Sequence, residues 1–553
     1  VTDQLSLSGK YWNVPAVCDS IGGFMAKRLA HIGAAHNRAW DDATVFPDAI
    51  KAVARVREGI ARQEKIAIFG DYDCDGVTAS AQLLRCLQRH GADPVLRLPH
   101  RVHDGYGLRE KHIDEFADTG ITLLITVDTG ISAHDALRHA KERGIDVIIL
   151  DHHHWTTIPD AFAILHPGLA ENFPEPHPAA AGVAFLFVHA MEGATWAERD
   201  IDLTLALFGT VADLVPMGGF NRRLVQEGLQ ALRRLPDGPL KQLVDAVGKG
   251  KPLTSIDIAF RIAPRINAAG RMADPMLALR ALLEGGAPLK ELESLNISRQ
   301  EETVRCIDDA IRQIAPDGNT SHDHLPAFLS VADPSYAPGI VGLIAGKLTE
   351  RFGRPSMAVH INGDLCTASL RSPACYNIVE GLERVSGLLT DFGGHAQAAG
   401  CSFPLQNLGS ITDAMEADIR ERVAPALLVP ALHIDAVIDA KAITTHTILS
   451  LQELEPYGQG NAEPHFLVRN ATMMNARRVG ADGKHLQAMV GNSKLIGFGM
   501  GEWDLYANEE LDLICRLGID TWNGRMVPQL FLVDARLKVG EVADVAKGTD
   551  VGR

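Results

Sequence analysis

Between residues 65 and 151 the chain repeats one pattern: a short, continuously apolar run, then a helix-like stretch, with acids and glycines at the joins. Ile66–Phe69, Ile121–Val127 and Ile145–Leu150 are apolar on successive positions, and Pro94–Leu98 reads as a further strand. Thr78–His90, Leu108–Thr119 and Ser132–Arg143 between them have helical character. Strands without polar alternation need cover on both faces, so the expected fold is α/β, a parallel sheet between helical layers. Ligands of such sheets bind beyond the carboxyl ends of the strands. There the sequence places Asp71, Asp73 and Asp75, then Asp128, then Asp151 followed by His152, His153 and His154.

Asp73 and Asp75 are two apart, so in an extended segment both point the same way. Carboxylates that close repel unless a cation lies between them, and a divalent metal is the simplest remedy. The alternative is a turn and a helix N-cap. A further acid, Asp213, follows the apolar stretch Leu203–Val211. It reads either as a metal-bound carboxylate or as a helix-end cap before Pro216.

A chain of 553 residues accommodates three or four domains, and 46% hydrophobic with 22% charged residues is ordinary globular composition. A net charge of -16 excludes coating of nucleic acid by bulk electrostatics but not a local basic channel. The eight cysteines form neither a Cys-x-x-Cys pair nor a dense framework, which points to a reducing cytoplasm. The opening Val-Thr-Asp-Gln carries no secretory pattern, and Ala179–Met191, the most apolar stretch, is too short for a bilayer, so no membrane role is expected.

The expected layout is an N-terminal arm (1–45), the sheet domain (46–220), a helical connector (221–320), a second α/β domain (321–428) and a small β-barrel (429–545). In the connector, Val304, Ile307, Ile311 and Ile314 mark a long amphipathic helix bridging two lobes. Arg261, Arg265 and Arg271 surround small residues there, either as an anion site or as salt-bridge partners. In the second domain, Gly393-Gly394 is read as a glycine pair ahead of a helix, able to hold phosphate with His395 and Arg371, or as close helix packing. Beyond Pro430, five or six short apolar alternations suggest an oligonucleotide-binding type of barrel. Arg477, Arg478, Lys484, His485 and Trp522 offer it charge and stacking surface, or an ordinary solvated face.

Asp71-Tyr-Asp-Cys-Asp-Gly, Val127-Asp-Thr-Gly130, Asp151-His-His and Val211-Ala-Asp213 together resemble the four motifs of the DHH phosphoesterase superfamily. Gly393–Gly400 resembles the signature of its associated domain. With Pro264–Arg271 and Pro456–Asn461, nearly the whole chain is similar to the RecJ-type single-stranded-DNA exonucleases. The resemblance implies 5′ to 3′ release of 5′ mononucleotides with two Mn²⁺ or Mg²⁺ ions. It implies Asp73, Asp75, Asp128, His152 and Asp213 as metal ligands, with Asp128 bridging. Phe69 stands where the pyrophosphatase branch has a histidine, which fits the nuclease branch and leaves the first metal fewer protein ligands. Arg101, Arg271, Ser369 and Arg371 become the pocket for a terminal 5′ phosphate, with Gly394 and His395 on a nearby phosphate. His153, next to a ligand and oriented by Asp151, is the candidate phosphate contact or proton donor, Asp71 is counted as catalytic with these two, and His154 is structural. Tyr106, Arg477, Arg478 and Lys484 are candidates for contact with the strand. The implied partners are single-stranded DNA, a helicase and a single-strand-binding protein, around a monomer. The alternatives are a phosphodiesterase of short oligoribonucleotides or cyclic dinucleotides, and a scaffold without metals. Relatives of the first kind usually lack the barrel, and the second would have degraded motifs.

Overall fold

A computed structural model of the chain describes residues 5–15, 21–33, 43–101, 103–105, 107–171, 173, 176–193, 195–520 and 526–538. β1 (Tyr11–Asn13) and α1 (Ile21–Gly33) do not lead into the sheet that follows. β1 pairs in parallel with Ala431–His433, and Phe24 of α1 meets Phe466 edge-on with centroids 5.8 Å apart. This stretch therefore packs on the C-terminal part of the chain.

After α2 (Ala49–Ala61) come β2 (Ile66–Gly70), α3 (Cys74–Arg89), β3 (Val95–Arg97), α4 (Glu110–Asp118), β4 (Leu123–Val127), α5 (His134–Glu142), β5 (Asp146–Leu150) and β6 (Ala163–Leu165). The strands are all parallel in the order β3-β2-β4-β5-β6. Every residue of β2 and β4 is buried, as a doubly covered sheet requires. Their register sets up the site: Gly70 lies opposite Val127, Val127 opposite Leu150, and Leu150 opposite Leu165. Asp71, Asp128, Asp151 and His166, each one residue further, therefore leave the sheet at one level. The chain goes from β2 to β3 on one side and to β4 on the other, so the switch-point crevice opens between β2 and β4.

α6 (Ala180–Glu192), α7 (Arg199–Ala212) and α8 (Gly219–Arg233) follow. The apolar stretch ending at Met191 is α6, buried against α3 and α7. Among the described residues no helix is long and apolar enough to cross a membrane. α9 (Pro239–Gly248), α10 (Ser255–Asp257), α11 (Ala263–Met272), α12 (Met276–Glu284) and α13 (Gly286–Ile314) continue the helical region. α13 is the expected long helix, but its buried positions are Leu292, Asn296, Cys306 and Ala310, whereas Val304 is 60% exposed. Cys306 and Ala310 pack with Tyr336 and Ile344 of the next lobe, and Ile311 and Ile314 of the expected stripe lie partly buried against the same cluster.

That lobe comprises β7 (Leu329–Asp333), α14 (Val341–Phe352), β8 (Ser356–Asn362), β9 (Leu365–Arg371), α15 (Ile378–Arg384), β10 (Asp391–His395), β11 (Ala398–Pro404) and α16 (Leu408–Arg422), with sheet order β10-β11-β9-β8-β7. Gly393 and Gly394 do not precede a helix; they belong to β10, in a hairpin with β11. Gly394 has φ +144°, and a Cβ there would lie 2.5 Å from the Ala399 Cα.

The C-terminal part contains β12 (Ala431–His433), β13 (Ala436–Ile438), α17 (Thr445–Leu451), β14 (Phe466–Thr472), β15 (Met474–Val479), β16 (His485–Val490), β17 (Ser493–Gly497), β18 (Glu510–Asp520) and β19 (Val527–Leu537). Seven strands, β13-β14-β18-β19-β17-β16-β15, form one sheet. The strand that sequence patterning missed is β15, which is largely exposed and so shows no apolar alternation. The segment Glu453–Asn461 docks this sheet onto α7 and α8. Arg222, 3% exposed, donates to the carbonyls of Glu453, Leu454 and Glu455 at 2.6–3.0 Å, and Met217 N donates to Gln459 O at 2.6 Å.

Candidate active site

Beyond β2 the chain turns through Asp71 and Tyr72 straight into α3. Asp73 is the N-cap, its Oδ1 accepting from Asp75 N at 2.9 Å and Gly76 N at 3.2 Å. Asp73 and Asp75 are therefore not alternate residues of an extended strand, because the helix begins at Cys74. The cap and the cluster coexist, since Asp73 still offers an oxygen within 4.8 Å of ones from Asp71 and Asp128. Asp75, 1% exposed, accepts from Ala180 N and Ala181 N at the start of α6, at 2.8 and 2.9 Å. α7 comes close enough that a Cβ on Gly209 would lie 2.6 Å from Asp75 Oδ1. Asp128 takes φ +61° just after β4, a left-handed conformation that aspartate tolerates better than most residues. Asp213 is the C-cap position of α7, as the capping alternative held, and it too reaches the cluster.

His152 joins these acids. Its Nε2 is 3.2 Å from Asp128 Oδ1 and 3.8 Å from Asp75 Oδ2, and its Nδ1 is 3.7 Å from Asp213 Oδ2. Burial, reinforced by Asp73, pushes the Asp75 carboxyl up to about 7. Burial, then neighbouring acids, likewise raises Asp71, Asp128 and Asp213 well above the ordinary carboxylate range. Burial and then His153 hold His152 down at about 3, so its ring is neutral and free to ligate. Asp71 Oδ1 and His152 Nε2 are buried and make no hydrogen bond. Carboxylate oxygens around one neutral imidazole suit a hard divalent cation such as Mn²⁺ or Mg²⁺, and the unpartnered atoms fit that use.

His153 is built differently. Asp151, 1% exposed, accepts from Ile131 N at 3.0 Å, His152 N at 2.7 Å and His153 N at 3.1 Å. The same carboxylate lies 2.7 Å from His153 Nδ1. Burial works against a charged His153 ring, but the bond to Asp151 outweighs it and lifts the pKa to about 9. His166, absent from the sequence-based set, places Nε2 2.9 Å from His153 O. The signal was there: His166 leaves its strand at the same level as the other clusters, but β6 is only three residues long. His154 is exposed.

A basic pocket adjoins this cluster where the two α/β lobes meet. On α11, Asn267 Oδ1 accepts from Cys74 N at 2.8 Å, and a Cβ on Gly270 would lie 2.5 Å from Tyr72 O. Asn267, inside the Pro264–Arg271 motif, thus anchors the acidic loop. Arg271 Nη1 donates to Gly339 O of the second lobe at 3.1 Å. The Arg101 guanidinium lies 4.2 Å from the Tyr72 ring centroid, and Arg371 Nη1 donates to Ser369 Oγ at 3.0 Å. Burial and then Arg101 push Arg271 down to about 10 and also lower Arg371, so the three cations face one another. The two arginines that precede Arg271 in its motif are salt-bridged, Arg261 to Asp257 at 3.0 Å and Arg265 to Glu293 at 2.7 Å. In the cross-strand row Arg371–Ala398–His395 the side chains share a face, and Gly394 and His395 are exposed beside it.

Arg477, Arg478 and Lys484 make their contacts within the C-terminal part of the chain. Arg478 binds both oxygens of Asp504 at 3.0 Å, Arg477 binds Gln487 at 2.9 Å, and Lys484 pairs with Asp482 at 3.0 Å. Tyr106 and Trp522 lie outside the described residues.

Sequence profiles of known families match three parts of the chain: the DHH family N-terminal domain at residues 65–212, the DHHA1 domain at 325–421 and the RecJ OB domain at 434–534. The chain is 33% identical over 514 residues to the single-stranded-DNA-specific exonuclease RecJ of Bacillus subtilis, covering 90% of this chain and 64% of that protein. It is 32% identical over 517 residues to RecJ of Dickeya dadantii, covering 87% of this chain and 89% of that one. The chain belongs to the RecJ family. Its α/β lobes and C-terminal sheet superpose on a crystal structure of RecJ in complex with Mn²⁺ from Thermus thermophilus. That match has a TM-score of 0.80 and 30% identity, over 94% of this chain and 76% of that one. A RecJ crystal structure in complex with Mg²⁺ from the same organism matches with a TM-score of 0.73 and 29% identity, over 94% and 75% of the two chains.

Proposed function

We propose that this chain is a metal-dependent 5′ to 3′ exonuclease that degrades single-stranded DNA to 5′ mononucleotides. The observation that carries this reading is the convergence of acids and imidazoles from four separate stretches on one rim, next to three facing guanidiniums. In this proposal Asp71, Asp73 and Asp128 hold one cation and Asp75, His152 and Asp213 the other, with Asp128 near both groups. Two such cations supply an activated water and neutralise charge on the phosphoryl and leaving oxygens.

The chain's own residues supply the rest. Asp151 keeps His153 protonated with its Nδ1 occupied, so the ring can donate from Nε2 to a phosphate oxygen. Arg101, Arg271, Arg371 and Ser369 form an anion pocket that takes a terminal 5′ phosphate and thereby sets which phosphodiester lies over the acids. His395 and the backbone at Gly394 serve the next phosphate. The C-terminal sheet holds the incoming strand, with Arg477, Arg478 and Lys484 on its exposed edge. Work as a monomer in the cytoplasm on strands exposed by a helicase and held by a single-strand-binding protein belongs to the same proposal.

The test uses purified protein, Mn²⁺ and 5′-labelled single strands. Labelled mononucleotide as the first product supports the proposal. Internal fragments, or turnover of dinucleotides in preference to long strands, would replace it with the phosphodiesterase alternative.

A further inference from the structure

α3 carries a second set of metal-ligating side chains at its other end. Cys86 and His90 are four residues apart, on one face of the helix's last turn and cap. Glu192, the last residue of α6, completes the set, and the three ligand atoms lie within 4.8 Å of one another. Cys86 is fully buried. The buried His90 Nε2 makes no hydrogen bond and lies 3.7 Å from Glu192 Oε2. Glu192 uses its other oxygen, Oε1, to accept from Arg89 Nε at 2.6 Å. One carboxylate oxygen, one ring nitrogen and one thiol sulfur therefore face a common point.

The surroundings allow a cation. Arg85 and Arg89 are tied to Glu192, Glu198 and Asp202, and Arg57 donates to Met191 O at 2.9 Å. Three carboxylates offset these guanidiniums, and Glu192 Oε2 is left toward His90. Met191 and Leu87 belong to the apolar core around Cys86, while His90 is partly open to solvent and gives an entry path.

We propose that Cys86, His90 and Glu192 form a binding site for a single thiophilic divalent cation, Zn²⁺, separate from the acidic rim. A thiolate, an imidazole and one carboxylate are ligands for Zn²⁺, with water in the fourth position, whereas the rim's oxygen-rich set suits Mn²⁺ or Mg²⁺. At 1.5 Å per residue, the thirteen residues from Asp73 to Cys86 put the two sites about 20 Å apart. The consequence is mechanical. α3 and α6 run side by side: Asp75 ties their N-terminal ends through Ala180 and Ala181, and the cation ties their C-terminal ends. Binding displaces the thiol proton to solvent and involves no redox step.

The whole 553-residue chain is titrated with Co²⁺ in excess Mg²⁺, and the near-ultraviolet thiolate-to-cobalt band is followed. The expected result is a band saturating at one Co²⁺ per chain and bleached by Zn²⁺. It should be lost in Cys86→Ser and need at least tenfold more Co²⁺ in His90→Gln and Glu192→Gln. It should persist in Cys74→Ser and Asp128→Asn. Zn²⁺ should raise the melting temperature of the parent protein but not of His90→Gln, a partly exposed substitution that leaves folding intact. No thiolate band in the parent protein, or a full band in Cys86→Ser, overturns the proposal.

Discussion

Replacing Asp151 by Asn removes one charge without changing shape, and its effect can be worked from the geometry. Asp151 accepts four hydrogen bonds, from three backbone N–H groups and the His153 ring. Holding the ring at about 9 rather than the ordinary 6.5 takes about 3 kcal/mol of preference for the charged form. The His153 side chain is 37% exposed, so solvent screening reduces this to about 2 kcal/mol. The amide, facing donors on both sides, also leaves one N–H against another, costing about 1–3 kcal/mol of stability. Two assays read the change. In metal-free protein, the histidine NMR titration assigned to His153 by comparison with His153→Gln should move from near 9 down by at least one pH unit. In the metal-loaded enzyme, where cations lower the starting value, the basic limb of the pH–rate profile should move down by a similar amount. Unchanged titration and an unchanged limb, in a folded variant, would refute the charge-holding role of Asp151.

Asp128→Asn keeps a residue that accepts φ +61°, so it should fold while losing at least a thousandfold in turnover, because the group with Asp71 and Asp73 loses a carboxylate that also lies 3.2 Å from His152 of the other. Without metal the same variant should melt higher than the parent, since a buried like-charge neighbour is gone; a lower melting point would contradict the repulsion inferred here. The metal-free parent should itself be pH-sensitive. The folded pKa of Asp75 lies near 7, above the ordinary 3.8, so its contribution is present below about pH 4 and lost as pH rises through 7, by up to about 4 kcal/mol; denaturant melts at pH 5 and 8, with and without Mn²⁺, check the sign. Arg271→Lys loses the planar fork and should erase most of the preference for 5′-phosphorylated over 5′-hydroxyl strands, with KM rising about 10-fold or more, as steady-state rates on paired substrates would show. Gly339→Ala would drive a methyl group into the Arg271 carbonyl and should part the lobes, lowering turnover while calorimetric Mn²⁺ binding stays within twofold.

The parallel sheet and its acidic rim were legible because each buried strand is a continuous apolar run and each functional acid directly follows one. What patterning could not supply was register. The matched ends Gly70, Val127, Leu150 and Leu165 make the rim, and they also bring in His166, whose strand was too short to notice. Local conformation was misread where one residue decided it: a helix starting at Cys74 turned Asp73 into a cap, and Gly393-Gly394 proved to be strand because its bare backbone pairs with β11. Arg271 could not be told from Arg261 and Arg265 by sequence, since the difference lies in which acids the fold places beside each. β15 failed for a physical reason too, as an exposed edge strand needs no apolar alternation.

An anomalous-scattering map of crystals soaked in Mn²⁺ puts the central claim to its plainest trial. Two peaks about 3.5–4 Å apart are expected, one beside Asp71, Asp73 and Asp128 and the other beside Asp75, His152 and Asp213. A map with no peak at these side chains, or with its manganese bound elsewhere on the protein, would contradict it.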